Sequence, residues 1–276
     1  MPLINVNGLD YFYQVHGDGP PLVLLHGFTG SSVNWQEHRR PFSNQHQVLT
    51  IDLPGHGRTS SPPTPDRYTM QAVSKDLISI FEFLNLSAVN LLGYSMGGRL
   101  ALYVATTHPS FLHSLILEST SPGLETTTQR LARIDNDGHL ADKIEAYGIP
   151  AFVEHWQRLP LFATQKRMPE EIRNRLNNQR LSNNASGLAN SLRGMGTGCQ
   201  PSLWSQLDTI HLPVLLLAGG LDEKYAALAR QMEASLPKAQ LRVITDSGHN
   251  IHLEKPESFT GHVLAFLSEL KSADLC

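Results

Sequence analysis

Six short apolar runs recur along the chain, and most are too unbroken to be strands with one wet face. They are Leu22-Val23-Leu24-Leu25, Val48-Leu49-Thr50-Ile51, Val89-Asn90-Leu91-Leu92, Leu115-Ile116-Leu117, Val214-Leu215-Leu216-Leu217 and Leu241-Arg242-Val243-Ile244. Strands apolar at nearly every position belong to parallel sheets covered by helices on both sides. Helical spacing appears between the runs: Val73, Leu77, Ile80, Phe81 and Leu84 share one face, and helices are predicted near 96–106, 224–235 and 256–270. Residues 2–15 alternate around Asn7-Gly8, which predicts a β-hairpin. The rhythm stops near Ser121, gives way to helical stretches with no convincing strand, and resumes at Val214. These features predict one α/β domain over residues 1–276. Its mostly parallel, twisted sheet carries helices on both faces, and a helical cap insertion at about 121–205 covers one end.

Gly93-Tyr94-Ser95-Met96-Gly97 fits G-x-S-x-G between a predicted strand and a predicted helix, the context of the nucleophile elbow of the α/β-hydrolase fold. A sharp strand-to-helix turn strains the serine backbone, and the flanking glycines let neighbouring segments come close. A serine hydroxyl needs a base to take its proton. The fold's chain order is serine, acid, histidine. His249, in Ser247-Gly248-His249 beyond the strand at 241–244, is the expected base. Asp222, after the strand at 214–217 and the Gly219-Gly220 turn, is the expected acid, preferred over the longer Glu223 and over Asp246, which suits a turn or cap. His26-Gly27-Phe28-Thr29-Gly30 follows the first central strand, where the backbone N–H groups of Phe28 and Met96 are expected to form an oxyanion hole. The same donors would serve an enolate, and a plain tight connection is the competing reading of the glycine-rich turn.

Other chemistries are poorly supported. His249-x-x-His252 has no third or fourth ligand at recognisable spacing, so no metal site is expected. Gly194-x-Gly196-x-Gly198 follows no strand and suits neither a dinucleotide nor a phosphate loop, so no cofactor is expected. A net charge of −3 gives no reason to expect nucleic acid or an anionic membrane as partner, and no apolar run is long enough to suggest a membrane span. The N-terminus has no basic and apolar leader pattern. Cys199 and Cys276 are expected to be free thiols, and the cytoplasm is the default location.

The insertion is the informative anomaly. It holds eight arginines (130, 133, 158, 167, 173, 175, 180 and 193), two lysines and eight Asp and Glu, so it is net +2 while the rest of the chain is −5. Arginine's planar fork suits carboxylates. Arg99, one helical turn beyond Ser95, adds to this bias. A cationic pocket for a small-molecule polycarboxylate is expected. Trp156, on a helix with Phe152 and Leu159, is either core or a wall of that pocket.

With these motifs in place, the sequence resembles the 2-succinyl-6-hydroxy-2,4-cyclohexadiene-1-carboxylate synthases, α/β-hydrolase-fold lyases of menaquinone and phylloquinone biosynthesis. The resemblance rests on His26–Gly30 with Trp35, Asp52-Leu53-Pro54-Gly55-His56-Gly57, and Gly93–Arg99. It continues through Ser121-Pro122-Gly123-Leu124 with Arg130 and Arg133, Ser191–Gly198, Asp222-Glu223-Lys224 and Gly248-His249-Asn250. It implies elimination of pyruvate by proton abstraction, with Ser95 activated by His249, and it implies substrate contacts at Tyr94, Arg99, Arg133, Trp156 and Arg193. An esterase or carbon–carbon bond hydrolase on the same triad is the alternative.

Overall fold

A computed structural model describes residues 2–273, so Cys276 lies outside the described residues. Eight strands form one sheet: β1 (Leu3–Val6), β2 (Leu9–His16), β3 (Pro21–Leu25), β4 (Gln47–Ile51), β5 (Val89–Tyr94), β6 (Leu112–Glu118), β7 (Val214–Gly219) and β8 (Ala239–Ile244). Their order is β1-β2-β4-β3-β5-β6-β7-β8, with β3 to β8 parallel and the β1–β2 hairpin attached antiparallel through β4. The hairpin turns at Asn7 (φ 50°) and Gly8 (φ 79°), the two left-handed residues that a tight two-residue turn needs.

The apolar runs explain the layering. Alternate residues of a strand face opposite sides. Val23, Leu25, Leu91, Leu115, Leu117 and Leu216 therefore pack with α2 (Met70–Phe83) and α3 (Met96–Thr107). Leu22, Leu24, Leu92, Ile116, Leu215 and Leu217 pack on the other side against Trp35, α1 (Gln36–Ser43) and α9 (Pro256–Ala273). Truncating one such fully buried leucine to alanine typically costs about 2–5 kcal/mol. Between β6 and β7 the chain forms α4 (Thr127–Trp156), α5 (Glu170–Leu181) and α6 (Ala185–Met195), and after β7 come α7 (Glu223–Ser235) and the short α8 (Ile251–Glu254). α4 starts at a Thr126 capping box and kinks at Gly148 (φ 79°, ψ 173°), two residues before Pro150. The first helix, α1, is not legible as a helix in the sequence because Pro41 interrupts a mostly polar stretch. No helix among the described residues is long and apolar enough to cross a membrane.

Several histidines are structural. His38 is fully buried between α1 and α9, where Nδ1 meets the Thr260 hydroxyl and Nε2 meets the His252 carbonyl at 2.8 Å each. Burial pushes its pKa down to about 3, and pushes buried His26 and His56 down to about 4 and about 3. The unfolded chain binds protons at these sites below about pH 6.5 and the folded chain does not. Stability is therefore complete above that pH and is lost as pH falls toward 4, at about 1.4 kcal/mol per unit for each histidine. The urea midpoint should fall across this window, and fall less steeply in His38→Gln, which keeps a neutral donor to the His252 carbonyl. Equal slopes would remove His38 from this account.

Candidate active site

The site begins with backbone strain. Ser95 sits at φ 48°, ψ −105° between β5 and α3, a conformation that costs an L-residue about 1–3 kcal/mol. Three hydrogen bonds hold it there. Its N–H donates to the Glu118 carbonyl at 2.8 Å, and its carbonyl accepts from the Thr120 hydroxyl at 2.8 Å and the Arg99 N–H at 3.0 Å. Glycine is needed next door because a Cβ on Gly97 would collide with the carbonyls of Leu25 and His26.

His249 and Asp222 arrive from the ends of β8 and β7. Gly219 packs directly on the backbone of Ser247 and Gly248, and Leu221 N–H donates to the Ser247 carbonyl at 2.9 Å, so the two loops are tied together. Asp222 Oδ2 accepts from His249 Nδ1–H at 2.6 Å, and His249 Nε2 lies 3.1 Å from Ser95 Oγ. With Nδ1 committed to the carboxylate, Nε2 is free to accept the serine proton. Asp222 also caps α7 by accepting from Tyr225 N–H. Glu223 is exposed, and Asp246 occupies a left-handed turn position (φ 53°). A second buried pair lies beneath the histidine: His252 donates to the Glu118 carboxylate from its backbone N–H at 3.0 Å and from Nδ1 at 2.9 Å.

Gly27 to Gly30 forms a tight turn closed by Gly30 N–H on the Gly27 carbonyl at 2.9 Å. The same carbonyl accepts from His26 Nδ1–H at 2.8 Å, while His26 Nε2 accepts from Leu53 N–H. The Phe28 and Met96 N–H groups have no hydrogen-bond partner among the described residues, and both residues line the cavity over Ser95. That cleft has a cavity volume of about 90 Å³, below the roughly 300–1,000 Å³ of small-molecule sites.

Most of the expected contacts converge here. Tyr94, Arg99, Arg133 and Trp156 line the cleft with Ser95 and His249. Arg99 is 9% exposed, and one of its nitrogens donates to the Met195 carbonyl and Gln200 Oε1. Burial lowers its pKa to about 10, so it stays cationic at neutral pH. Arg133 pairs with Asp137 at 2.8 Å. Trp156 packs on Phe28, Phe152 and Phe162 while lining the cleft, and its buried Nε1–H has no partner among the described residues. Burial pushes the Tyr94 hydroxyl well above its usual pKa, so it remains protonated.

Arg193 is the exception. It points away from the cleft and is held by Asp142 at 2.6 Å and Glu145 at 2.7 Å on α4. On α6, Leu192 and Met195 face the cavity and Arg193 lies on another side of the helix. The broader expectation of an arginine-walled pocket narrows in the same way. Arg158 pairs with Glu154, Arg175 with Glu37, and Arg130 reaches the Gly198 carbonyl.

Sequence reasoning missed Tyr225, whose ring centroid is 4.5 Å from that of His249, and Phe162, which also lines the cleft. Tyr225 could have been found, because it stands three residues after Asp222 in the first turn of α7. Phe162 carries no local signal.

Known proteins resemble this chain over most of its length. The α/β hydrolase fold family model matches residues 20–256. A relative from Bacillus subtilis (strain 168), provisionally named a 2-succinyl-6-hydroxy-2,4-cyclohexadiene-1-carboxylate synthase, is 44% identical over 264 residues, spanning 94% of this chain and 95% of its own. The synthase of that name from Pectobacterium atrosepticum is 32% identical over 250 residues, 90% of this chain and 94% of its own. The solved structure of MenH from S. aureus matches with a TM-score of 0.89 at 37% identity, covering 95% of this chain and 98% of that one. The chain belongs to the 2-succinyl-6-hydroxy-2,4-cyclohexadiene-1-carboxylate synthase family, built on the α/β-hydrolase fold.

Proposed function

We propose that this enzyme is a carbon–oxygen lyase that eliminates pyruvate from 2-succinyl-5-enolpyruvyl-6-hydroxy-3-cyclohexene-1-carboxylate, with Ser95, His249 and Asp222 as its proton-transfer chain. The observation that carries the reading is that arginines 99 and 133 wall the cleft in which Ser95 Oγ meets His249 Nε2 at 3.1 Å. The substrate bears three carboxylates, on the ring, the succinyl arm and the enolpyruvyl ether. A carboxylate against a buried, charged guanidinium makes a charge-assisted hydrogen bond.

The change of ring unsaturation defines the step. A 3-ene with a leaving group at ring carbon 5 becomes a 2,4-diene only if a proton leaves ring carbon 2. That carbon is next to the succinyl ketone, so charge develops on the ketone oxygen as an enolate. Ser95 Oγ, giving its own proton to His249 Nε2, takes the carbon-bound proton. The electron pair moves through the ring and breaks the bond from ring carbon 5 to the ether oxygen, which leaves as enolpyruvate. The proton held on His249 passes to this leaving group, which resets the triad, and the product tautomerises to pyruvate. Asp222 stabilises the imidazolium that forms. The free N–H groups of Phe28 and Met96 suit the enolate oxygen. The unpartnered Trp156 Nε1–H and the protonated Tyr94 hydroxyl supply further neutral donors at the cleft wall. The reading places the enzyme in the cytoplasm, where a thiol such as Cys199 stays reduced.

Purified enzyme given this substrate should release pyruvate, measured by coupling to lactate dehydrogenase, with the absorbance change of a conjugated diene. Turnover of aryl esters without pyruvate release would replace the lyase reading with a hydrolase. Arg99→Ala should lower kcat/KM about ten- to a hundredfold, the value of roughly 1.5–3 kcal/mol for a hydrogen bond to a charged group. Unchanged kinetics there would remove Arg99 from substrate binding. Arg193→Ala should leave kcat/KM within about twofold, since it breaks only partly exposed ion pairs. A tenfold loss in that variant would return Arg193 to the site.

A further inference from the structure

Thr29 is the third residue of the Gly27–Gly30 turn and sits at φ 66°, buried to 4% exposure. A left-handed residue at this position is the requirement of a type II turn, which glycine or asparagine normally fills. For a β-branched residue it is a genuine outlier. Something outside the turn has to hold it.

The structure supplies the holder from the helical segment between β6 and β7. Gln179 Nε2, in the last turn of α5, donates to the Thr29 carbonyl at 2.6 Å, and Asn183 Nδ2 donates to the same oxygen at 3.0 Å. Both side chains are 8% exposed and come from 150 and more residues away in sequence. Asn183 Nδ2 also reaches the carbonyls of Gln179 and Arg180, which fixes its amide. On the other side of the turn, the Phe28 ring meets Trp156 and Phe152 of α4 edge-on, at centroid distances of 5.4 and 6.2 Å.

The turn controls one N–H. Gly27 C=O and Phe28 N–H belong to one planar peptide and point in opposite directions. The His26 Nδ1–H and Gly30 N–H bonds to the Gly27 carbonyl therefore aim the Phe28 N–H toward the cleft. The turn in this form requires the left-handed conformation of Thr29. With the Thr29 carbonyl released from Gln179 and Asn183, the strain at Thr29 is free to shift the turn as a unit, and the Phe28 backbone moves with it.

We propose that Gln179 and Asn183 are positioning residues that hold the Phe28 oxyanion donor through the Thr29 carbonyl, so that the hole is complete only while α5 is docked on the turn. The proposal rests on the reading of Phe28 as an oxyanion donor.

The test compares wild type, the double variant Gln179→Ala/Asn183→Ala, and that variant with Thr29→Gly added. Two rates are read: kcat for pyruvate release, and phosphonylation of Ser95 by an alkyl fluorophosphonate, whose P–O oxygen uses the same hole. In the double variant both should fall at least about tenfold, short of the roughly 10²–10³ that loss of a whole donor costs, with KM within about twofold. Adding Thr29→Gly should bring both rates back to within about threefold of wild type, because glycine takes positive φ without help. A generally loosened fold would not be rescued by that change. A folded double variant with both rates near wild type, or losses that Thr29→Gly leaves untouched, would overturn the proposal. If the double variant does not fold, Gln179→Glu and Asn183→Asp, which keep size but place a carboxylate against the carbonyl, are read the same way. A wild type that is phosphonylated but releases no pyruvate would sink the lyase reading alone, leaving the phosphonylation rates to decide on the clamp.

Discussion

The strained backbone of Ser95 is the constraint around which the rest is arranged. A serine at φ 48°, ψ −105° cannot persist by its own preference, so the neighbouring strand has to hold it. β6 does this with the Glu118 carbonyl on one side of the residue, and Thr120 just beyond the strand does it on the other. The parallel register that sets Tyr94 opposite Glu118 is what puts those groups within reach. The central apolar runs therefore do more than fill a core, since they fix the register on which the position of Ser95 depends.

Much of this was legible before any coordinates. Unbroken apolar strands, the glycine-flanked serine and the order of serine, acid and histidine are local or nearly local signals, and local signals survive in a sequence. Asp222 could be chosen because its loop follows a strand end, where the sheet sets the starting direction, and it was preferred over Glu223 for its shorter side chain. What escaped depends on which way a helix is turned. Arg193 and Leu192 are adjacent, yet one pairs with Asp142 and Glu145 while the other lines the cleft. Rotation of α6 about its axis is decided by its packing on α4, a contact between segments some fifty residues apart. α1 escaped for a different reason: Pro41 and a polar composition hide a helix that the core accepts through His38 and Phe42.

Charge in the helical segment shows the same lesson from the other side. Eight arginines suggested a broadly cationic wall. Four of them pair with carboxylates and one with a backbone carbonyl. Arg180 is 4% exposed, reaches Gln165 Oε1 at 3.1 Å and stacks over Phe162, so burial lowers its pKa to about 10. The excess of positive charge is thus spread over the segment, and only a fraction of it looks into the cleft. On the proposed function, an anionic substrate would meet two guanidinium groups at the wall, Arg99 and Arg133, rather than a diffuse field.

The Glu118–His252 pair carries a mechanical implication. One residue gives its main chain to the serine and its side chain to the loop that bears the imidazole. Ser95 and the segment that follows His249 are therefore both tied to one residue of β6. The same segment also meets the helical region above it, where Gln165 donates to Asn250 and Thr164 to Glu254, so the sheet and the cap both bear on where the imidazole sits.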